Sequence, residues 1–316
     1  MFGLLFELNR RMPNGTYGGV RGGINYLLLD LRIDIGIIKL EVRTLGYLLL
    51  KDGNKLYYNT VGNGKALVCL HGFGADHKVF RFMEKSLSKK YKVITLDLRG
   101  HGNSTSNNTN LSIKDFADDL NQLLEHLKIE SFCLLGYSMG GAVALEYISK
   151  FGDEKIESLI LVESTLKLIN DDSWEFGLFN GKYDLEAHQK TLNMIENNWE
   201  EFCKDFVLKL SNKLKELDYK NAVENLKKND KKLMLAIWDI LSKTDYRNIP
   251  LDFKKRVLYI SGRESSFYNS ITGEIIVEMF KEGLFIDIRG GHLLLLENPV
   301  EVNRVIENFI NQNCNP

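Results

Sequence analysis

Ser138 stands at the centre of Gly136-Tyr137-Ser138-Met139-Gly140, in surroundings suited to making a hydroxyl react. An apolar run at 132–135 precedes it and a helical pattern at 142–148 follows, so a strand must turn into a helix within a residue or two. Gly136 and Gly140 leave room for that bend where side chains would collide. The serine is thereby pushed out at the strand's C-terminal end. The helix beginning behind it brings backbone N–H groups and a partial positive charge to the place where an oxyanion would form. A serine hydroxyl is a weak nucleophile until a base takes its proton, and histidine has the proton affinity for that task. On the pentapeptide alone, a glycine-rich turn with an idle serine would read the same.

Three further stretches must position such a site. An apolar run at 67–70 leads into His71-Gly72-Phe73-Gly74. Another at 93–98 carries Asp97-Leu98-Arg99-Gly100-His101-Gly102-Asn103-Ser104. A third at 284–288 leads into Gly290-Gly291-His292. In this order, from about Gly46 to the C-terminus, the four stretches resemble the α/β-hydrolase superfamily. The resemblance implies an α/β fold: a mainly parallel eight-stranded sheet flanked by helices, with a helical cap inserted after the sixth core strand. It also implies that His292, after the last strand, is the base for Ser138. The backbone N–H groups of Phe73 and Met139 would form the oxyanion hole, each donor worth about 3 kcal/mol of barrier height.

The acid departs from the family pattern. The usual aspartate would stand three residues after Gly262, and Ser265 occupies that position. Glu264 is one residue early and would need a shifted loop. Glu163 ends the preceding strand, an alternative position that some relatives use, a group of haloalkane dehalogenases among them. Glu163 is the favoured reading and Glu264 the alternative; a histidine held by other groups, with no acid, is the third. Of the six histidines, His77, His126 and His188 fall on helical patterns and are expected at the surface. His71, His101, Asp97 and Arg99 are expected to brace loops.

Runs at 47–50, 55–60, 66–70, 92–97, 131–135, 156–162, 256–261 and 284–288 are expected as the strands, with a hairpin turn at Asp52-Gly53-Asn54. Helices are expected over 78–89, 112–127, 275–282 and 300–311, with Ser112 and Asp115 as a cap pair and Pro299 near the last start. Residues 1–45 match no part of the family pattern. Within them 14–23 is loop-like, and 31–35 alternates as a strand that either joins the antiparallel edge or belongs to an unordered extension. The core is expected to span 46–164 and 251–316. Residues 165–250 are expected to form the cap, where Trp174, Phe176, Phe179, Trp199 and Trp238 are too heavy an apolar load for an exposed loop.

A formal net charge of −1 gives no footing for nucleic acid or an anionic membrane surface. The four cysteines lack metal or CxxC spacing, and Cys69 and Cys133 fall in expected buried strands, which suits a reducing compartment. Residues 1–8 are too short for a signal peptide and lack its basic start and small-residue cleavage site, and residues 24–50 are interrupted by Asp30, Arg32, Asp34, Lys39, Glu41 and Arg43. A cytoplasmic protein without stable membrane insertion is expected. The chemistry expected is serine hydrolysis of an ester, thioester or similar acyl bond of a small apolar substrate, through an acyl-enzyme and with no cofactor or metal. Carbon–carbon bond hydrolysis, cofactor-free haloperoxidation and acyl transfer use the same residues. A slow-turnover ligand receptor of the same fold is the competing class. Serine rather than aspartate at position 138 argues against epoxide hydrolysis and dehalogenation.

Overall fold

The computed structural model describes residues 25–34, 37–211 and 213–312. Residues 1–8 and 14–23, read above as apolar start and loop, lie outside them. Among the described residues, nine strands form one sheet. They are β1 Asn25–Asp34, β2 Ile37–Leu49, β3 Lys55–Val61, β4 Ala66–Leu70, β5 Lys92–Leu96, β6 Phe132–Tyr137, β7 Ile156–Val162, β8 Arg256–Gly262 and β9 Gly283–Ile288. Their order is β1-β2-β3-β5-β4-β6-β7-β8-β9. The first three neighbouring pairs are antiparallel and the remaining five parallel.

The eight expected strands are β2 to β9, and β1 is one more than expected. It pairs with β2 from Asn25↔Gly46 to Asp34↔Ile37, so the strand alternative for this segment holds. β2 consequently runs through the boundary expected at residue 45, because its first half is β1's partner. The hairpin between β2 and β3 turns at Gly53, whose φ of +86° suits glycine.

Both faces of the parallel half are covered, as continuous apolar strands require. Alternate residues separate into two cores. Val68, Leu70, Leu134, Leu159 and Leu161 face one side, Leu67, Cys69, Cys133, Leu135 and Ile160 the other. Each leucine, valine or isoleucine among them contributes about 1.5–3 kcal/mol by leaving water. Helix Ile113–His126 begins at a capping box made by Ser112 and Asp115, as expected. The helix expected over 78–89 is shorter: a 3₁₀ turn at His77–Phe80, capped by Asp76, feeds helix Arg81–Leu87. The helix expected over 275–282 starts earlier, as Ser270–Met279, because Asn269 accepts the N–H of Thr272 and caps it there.

Between β7 and β8 the chain leaves the sheet for a helical insertion. Its longer helices are Leu185–Asn197, Trp199–Leu210, Glu216–Lys227 and Lys231–Ser242. Asp184 and Asp230 cap the first and last. Their apolar faces supply Ile195, Phe202, Phe206, Leu226 and Trp238, all buried. Phe73, from the loop after β4, meets Trp238 edge to face at 4.9 Å and Phe206 at 5.7 Å. The insertion is therefore packed onto the C-terminal ends of the strands.

Gly140 carries a tight crossing against backbone. A Cβ there would lie 2.1 Å from the carbonyl oxygen of Leu70 at the end of β4. Helix Met139–Phe151 can approach the sheet only without that carbon. Gly140→Ala is expected to lower stability by about 3 kcal/mol or to prevent folding. A urea-denaturation midpoint equal to that of the unmodified protein would contradict this packing.

Candidate active site

Ser138 follows β6 directly and precedes the first turn of helix Met139–Phe151, with φ +54° and ψ −120°. A non-glycine residue in that conformation is strained and must be held by its neighbours. Its N–H donates to Val162 O at 2.9 Å. Its carbonyl accepts the Ser164 hydroxyl at 3.0 Å. Both clamps come from the end of β7. Gly136 and Gly140 do what the sequence implied: a Cβ on either would collide with backbone, at 2.5 Å and 2.1 Å.

His292 lies after β9 and is 2% exposed. The Tyr137 hydroxyl donates to its carbonyl at 2.9 Å, tying this loop to β6. Phe267 stacks on the imidazole, centroids 4.0 Å apart and planes 16° from parallel. Nε2 lies 3.0 Å from Ser138 Oγ, and Nδ1 lies 2.9 Å from Glu163 Oε2. With Nδ1–H donating to the carboxylate, Nε2 presents its lone pair to the serine hydroxyl.

Glu163 is fully buried and takes φ +50° at the end of β7. Its Oε1 accepts the N–H of Gly262 at 2.6 Å, and its Oε2 accepts the Ser265 hydroxyl at 2.5 Å. Glu264 is turned away; its carboxylate pairs with Lys213 and, at 3.6 Å, with Arg289. Of the two carboxylates weighed from sequence, the structure brings Glu163 to His292 and leaves Glu264 in surface ion pairs. Ser265, singled out only as a departure from pattern, holds Glu163. A hydroxyl at the position of an expected acid was the signal available for that role.

Phe73 and Met139 both line the cavity at Ser138. A Cβ on Gly72 would lie 3.1 Å from the Ser138 Cβ, so the loop after β4 runs against the serine. Among the described residues, no acceptor takes the backbone N–H of Phe73 or Met139. A cavity of about 40 Å³ opens at Ser138, walled chiefly by apolar side chains, among them Phe73, Ala142, Leu178, Phe206 and Trp238.

The loop after β5 is braced as expected. Asp97 accepts the N–H of His77 at 2.7 Å and of Asn103 at 2.8 Å. Arg99 grips Asp119 through two nitrogens at 2.5 and 2.9 Å. His71 Nε2 accepts the N–H of Leu98 at 2.8 Å. Two surface expectations fail: His77 and His188 are 8% and 3% exposed. His77 turns inward because Asp97 accepts its Nδ1–H at 2.6 Å. His188 sits between Tyr183 and Ser242 inside the helical insertion. Asp76, His77 and Asp97 lie close enough to hold a cation, but each Asp97 oxygen already accepts two hydrogen bonds. Among the described residues, no helix is long and apolar enough to cross a membrane.

Comparison with known proteins gives a family model described as alpha/beta hydrolase fold, matching residues 65–299. "AB hydrolase superfamily protein YisY" of Bacillus subtilis is 30% identical over 119 residues, 37% of this chain and 44% of that one. "3-oxoadipate enol-lactonase 1" of Acinetobacter baylyi is 25% identical over 258 residues, 78% of this chain and 89% of that protein. The chain thus spans less than half of the first of these relatives and most of the second. Among solved structures, an esterase from Exiguobacterium antarcticum superposes with a TM-score of 0.78 at 21% identity, covering 84% of this chain and 98% of that one.

His71 and His101 underlie the loop that carries Phe73, and both are buried. Burial lowers the proton affinity of each, His101 from 6.5 to about 3. Below about pH 6.5 the unfolded chain takes up protons that the folded chain refuses, so their stabilising contribution is complete above that pH and lost as pH falls. Asp119, which burial pushes up to about 7, acts in the opposite sense over the same range, so the test compares variants. The urea midpoint is expected to fall more steeply between pH 7 and pH 5.5 in the unmodified protein than in His101→Gln, by up to about 1.4 kcal/mol per pH unit. Equal pH dependence in the two would show that this ring titrates normally.

Proposed function

The chain is a hydrolase of the alpha/beta-hydrolase family, and on that premise we propose that it is a capped serine hydrolase cleaving an ester, thioester or similar acyl bond of a small apolar substrate. The observation that carries this reading is one line of hydrogen bonds, from Ser138 Oγ to His292 Nε2 at 3.0 Å and from His292 Nδ1 to Glu163 Oε2 at 2.9 Å.

In this mechanism Ser138 Oγ attacks the acyl carbon while His292 Nε2 takes its proton. Glu163 fixes the imidazole tautomer and stabilises the imidazolium that forms, without itself taking the proton. The developing oxyanion accepts hydrogen bonds from the N–H groups of Phe73 and Met139. Nε2–H then protonates the leaving oxygen or sulfur as its bond to the acyl carbon breaks. A water, deprotonated by the same nitrogen, hydrolyses the acyl-enzyme. Every proton moves through one histidine, and the scheme calls on no metal or nucleotide.

The insertion between β7 and β8 acts as the cap. Leu178, Phe206, Trp238 and Leu241, all from it, line the cavity at Ser138. Apolar walls exclude water and strengthen the electrostatic contacts inside. They also suit an uncharged acyl group. An enol-lactone, the substrate class named for the Acinetobacter baylyi relative, is a cyclic ester and falls within this chemistry.

A fluorophosphonate probe is expected to label the protein at Ser138 and to leave Ser138→Ala unlabelled; equal labelling would defeat the assignment. Glu163→Gln is expected to reduce kcat on short p-nitrophenyl esters by roughly 10³–10⁴-fold, while Glu264→Gln changes it less than about twofold. The opposite ranking would move the acid to Glu264. Equal, slow hydrolysis by the unmodified protein and His292→Ala would favour a ligand receptor.

A further inference from the structure

Six side chains that carry a polar hydrogen line the cavity at Ser138: Ser138, Ser164, Thr165, Trp238, Thr244 and Tyr268. Five of these hydrogens are already committed. Ser138 Oγ lies 3.0 Å from His292 Nε2. Ser164 donates to Ser138 O at 3.0 Å, Thr165 to Phe176 O at 2.8 Å and Thr244 to Leu241 O at 2.8 Å. The Trp238 Nε1–H donates to the Tyr183 hydroxyl at 2.7 Å. Among the described residues, nothing pairs with the Tyr268 hydroxyl. Tyr268 is only 3% exposed, yet its hydroxyl is not sealed inside protein as the unpartnered His101 Nε2 is. The open space that Tyr268 lines is the cavity, so the hydroxyl reaches into it.

Packing does not call for this hydroxyl. The ring belongs to the core and lies 6.1 Å from the His292 ring, centroid to centroid; a phenylalanine ring would fill the same place. A buried hydroxyl without a partner costs stability, so its presence needs another reason. Burial and the nearby Glu163 charge raise the proton affinity of the phenol, which keeps it a donor at neutral pH. Its main chain is fixed from the acid's side. The N–H groups of Phe267 and Tyr268 donate to Ser265 Oγ at 3.1 and 3.4 Å, and Ser265 in turn donates to Glu163. A free donor is thus held beside the reacting serine by the same loop that steadies Glu163.

We propose that the Tyr268 hydroxyl determines specificity by donating a hydrogen bond to a second oxygen of the substrate, which is then a small ester or thioester carrying an ether, carbonyl or hydroxyl oxygen close to the acyl carbon. This rests on the serine-hydrolase reading above and adds to it one polar feature of an otherwise apolar substrate. In that reading two backbone N–H groups serve the acyl oxygen, which leaves the phenol for a different atom. A site that offers a buried donor to a substrate oxygen rejects the analogue lacking that oxygen, because the donor is then left unpaired.

Two matched ester pairs test this. One is p-nitrophenyl butanoate with p-nitrophenyl methoxyacetate; the other is butyl acetate with 2-methoxyethyl acetate. Within each pair an oxygen replaces one methylene, in the acid of the first and in the alcohol of the second. The ether-to-alkyl ratio of kcat/KM is measured in the unmodified protein and in Tyr268→Phe, so that the intrinsic reactivity of each ester cancels. The ratio is expected to be at least about tenfold lower in Tyr268→Phe for one pair or both, with the alkyl esters changed less than about twofold. Ratios unchanged in both pairs would overturn the proposal. So would an equal loss on all four esters, which would place the phenol on the oxyanion or on His292. The urea midpoint of Tyr268→Phe is expected to equal or exceed that of the unmodified protein; a lower one would give the hydroxyl a structural task and overturn the proposal as well. Ser138→Ala separates the two levels. Hydrolysis surviving in it sinks the serine-hydrolase reading itself, whereas hydrolysis lost in it alongside unchanged ratios in Tyr268→Phe sinks only the role of Tyr268.

Discussion

A carboxylate sealed from water must be surrounded by donors, and Glu163 imposes that requirement on three strand ends at once. Its own backbone finishes β7, the Gly262 N–H finishes β8, and His292 follows β9. Ser265 completes the shell from the loop after β8. Stripping a partner from such an ion costs about 3–5 kcal/mol, because the charge stays where solvent cannot reach it. The loops after β7, β8 and β9 therefore cannot settle independently. The left-handed backbone at Glu163 and at Ser138 is strain that this interlocking holds in place.

The second constraint comes from above the sheet. Phe73 stands between the core and the helical insertion, touching Phe202, Phe206 and Trp238 edge to face. The loop that brings Phe73 beside Ser138 is thus supported from beneath by His71, His101 and Leu98, and from above by aromatic rings. Aromatic edge contacts of this kind each add about 0.5–1.5 kcal/mol beyond the area they bury. One side chain links the sheet to the inserted helices that line the apolar space.

How much of this was legible in the sequence varied with how locally each feature is determined. The serine turn was legible because its glycines stand at fixed offsets and serve a collision that occurs within a few residues. The strands were legible because continuous apolar runs bounded by glycine have few other uses in a protein of this composition. The choice between Glu163 and Glu264 was not, since it depends on where two loops aim their side chains. One of those glutamates found Lys213, from a segment about fifty residues away, and that pairing leaves no trace in local pattern. His77 and His188 misled for a related reason. A helical repeat says which residues share a face, not which neighbour comes to cover that face. β1 was half legible: alternation marked it as a strand, but only its partner fixed it.

Ser265 shows what the unusual acid entails. In the wider family pattern the carboxylate hangs from the tip of the strand that is β8 here, whereas in this chain it hangs from β7. The two strands are adjacent, so a carboxylate on either tip meets the same imidazole nitrogen. A lineage passing between these layouts need never move the ring. It has only to avoid the interval in which both tips are anionic, when two like charges would crowd one dry pocket. A hydroxyl at the neighbouring tip suits this layout: Ser265 hands Glu163 a hydrogen instead of confronting it with a second charge.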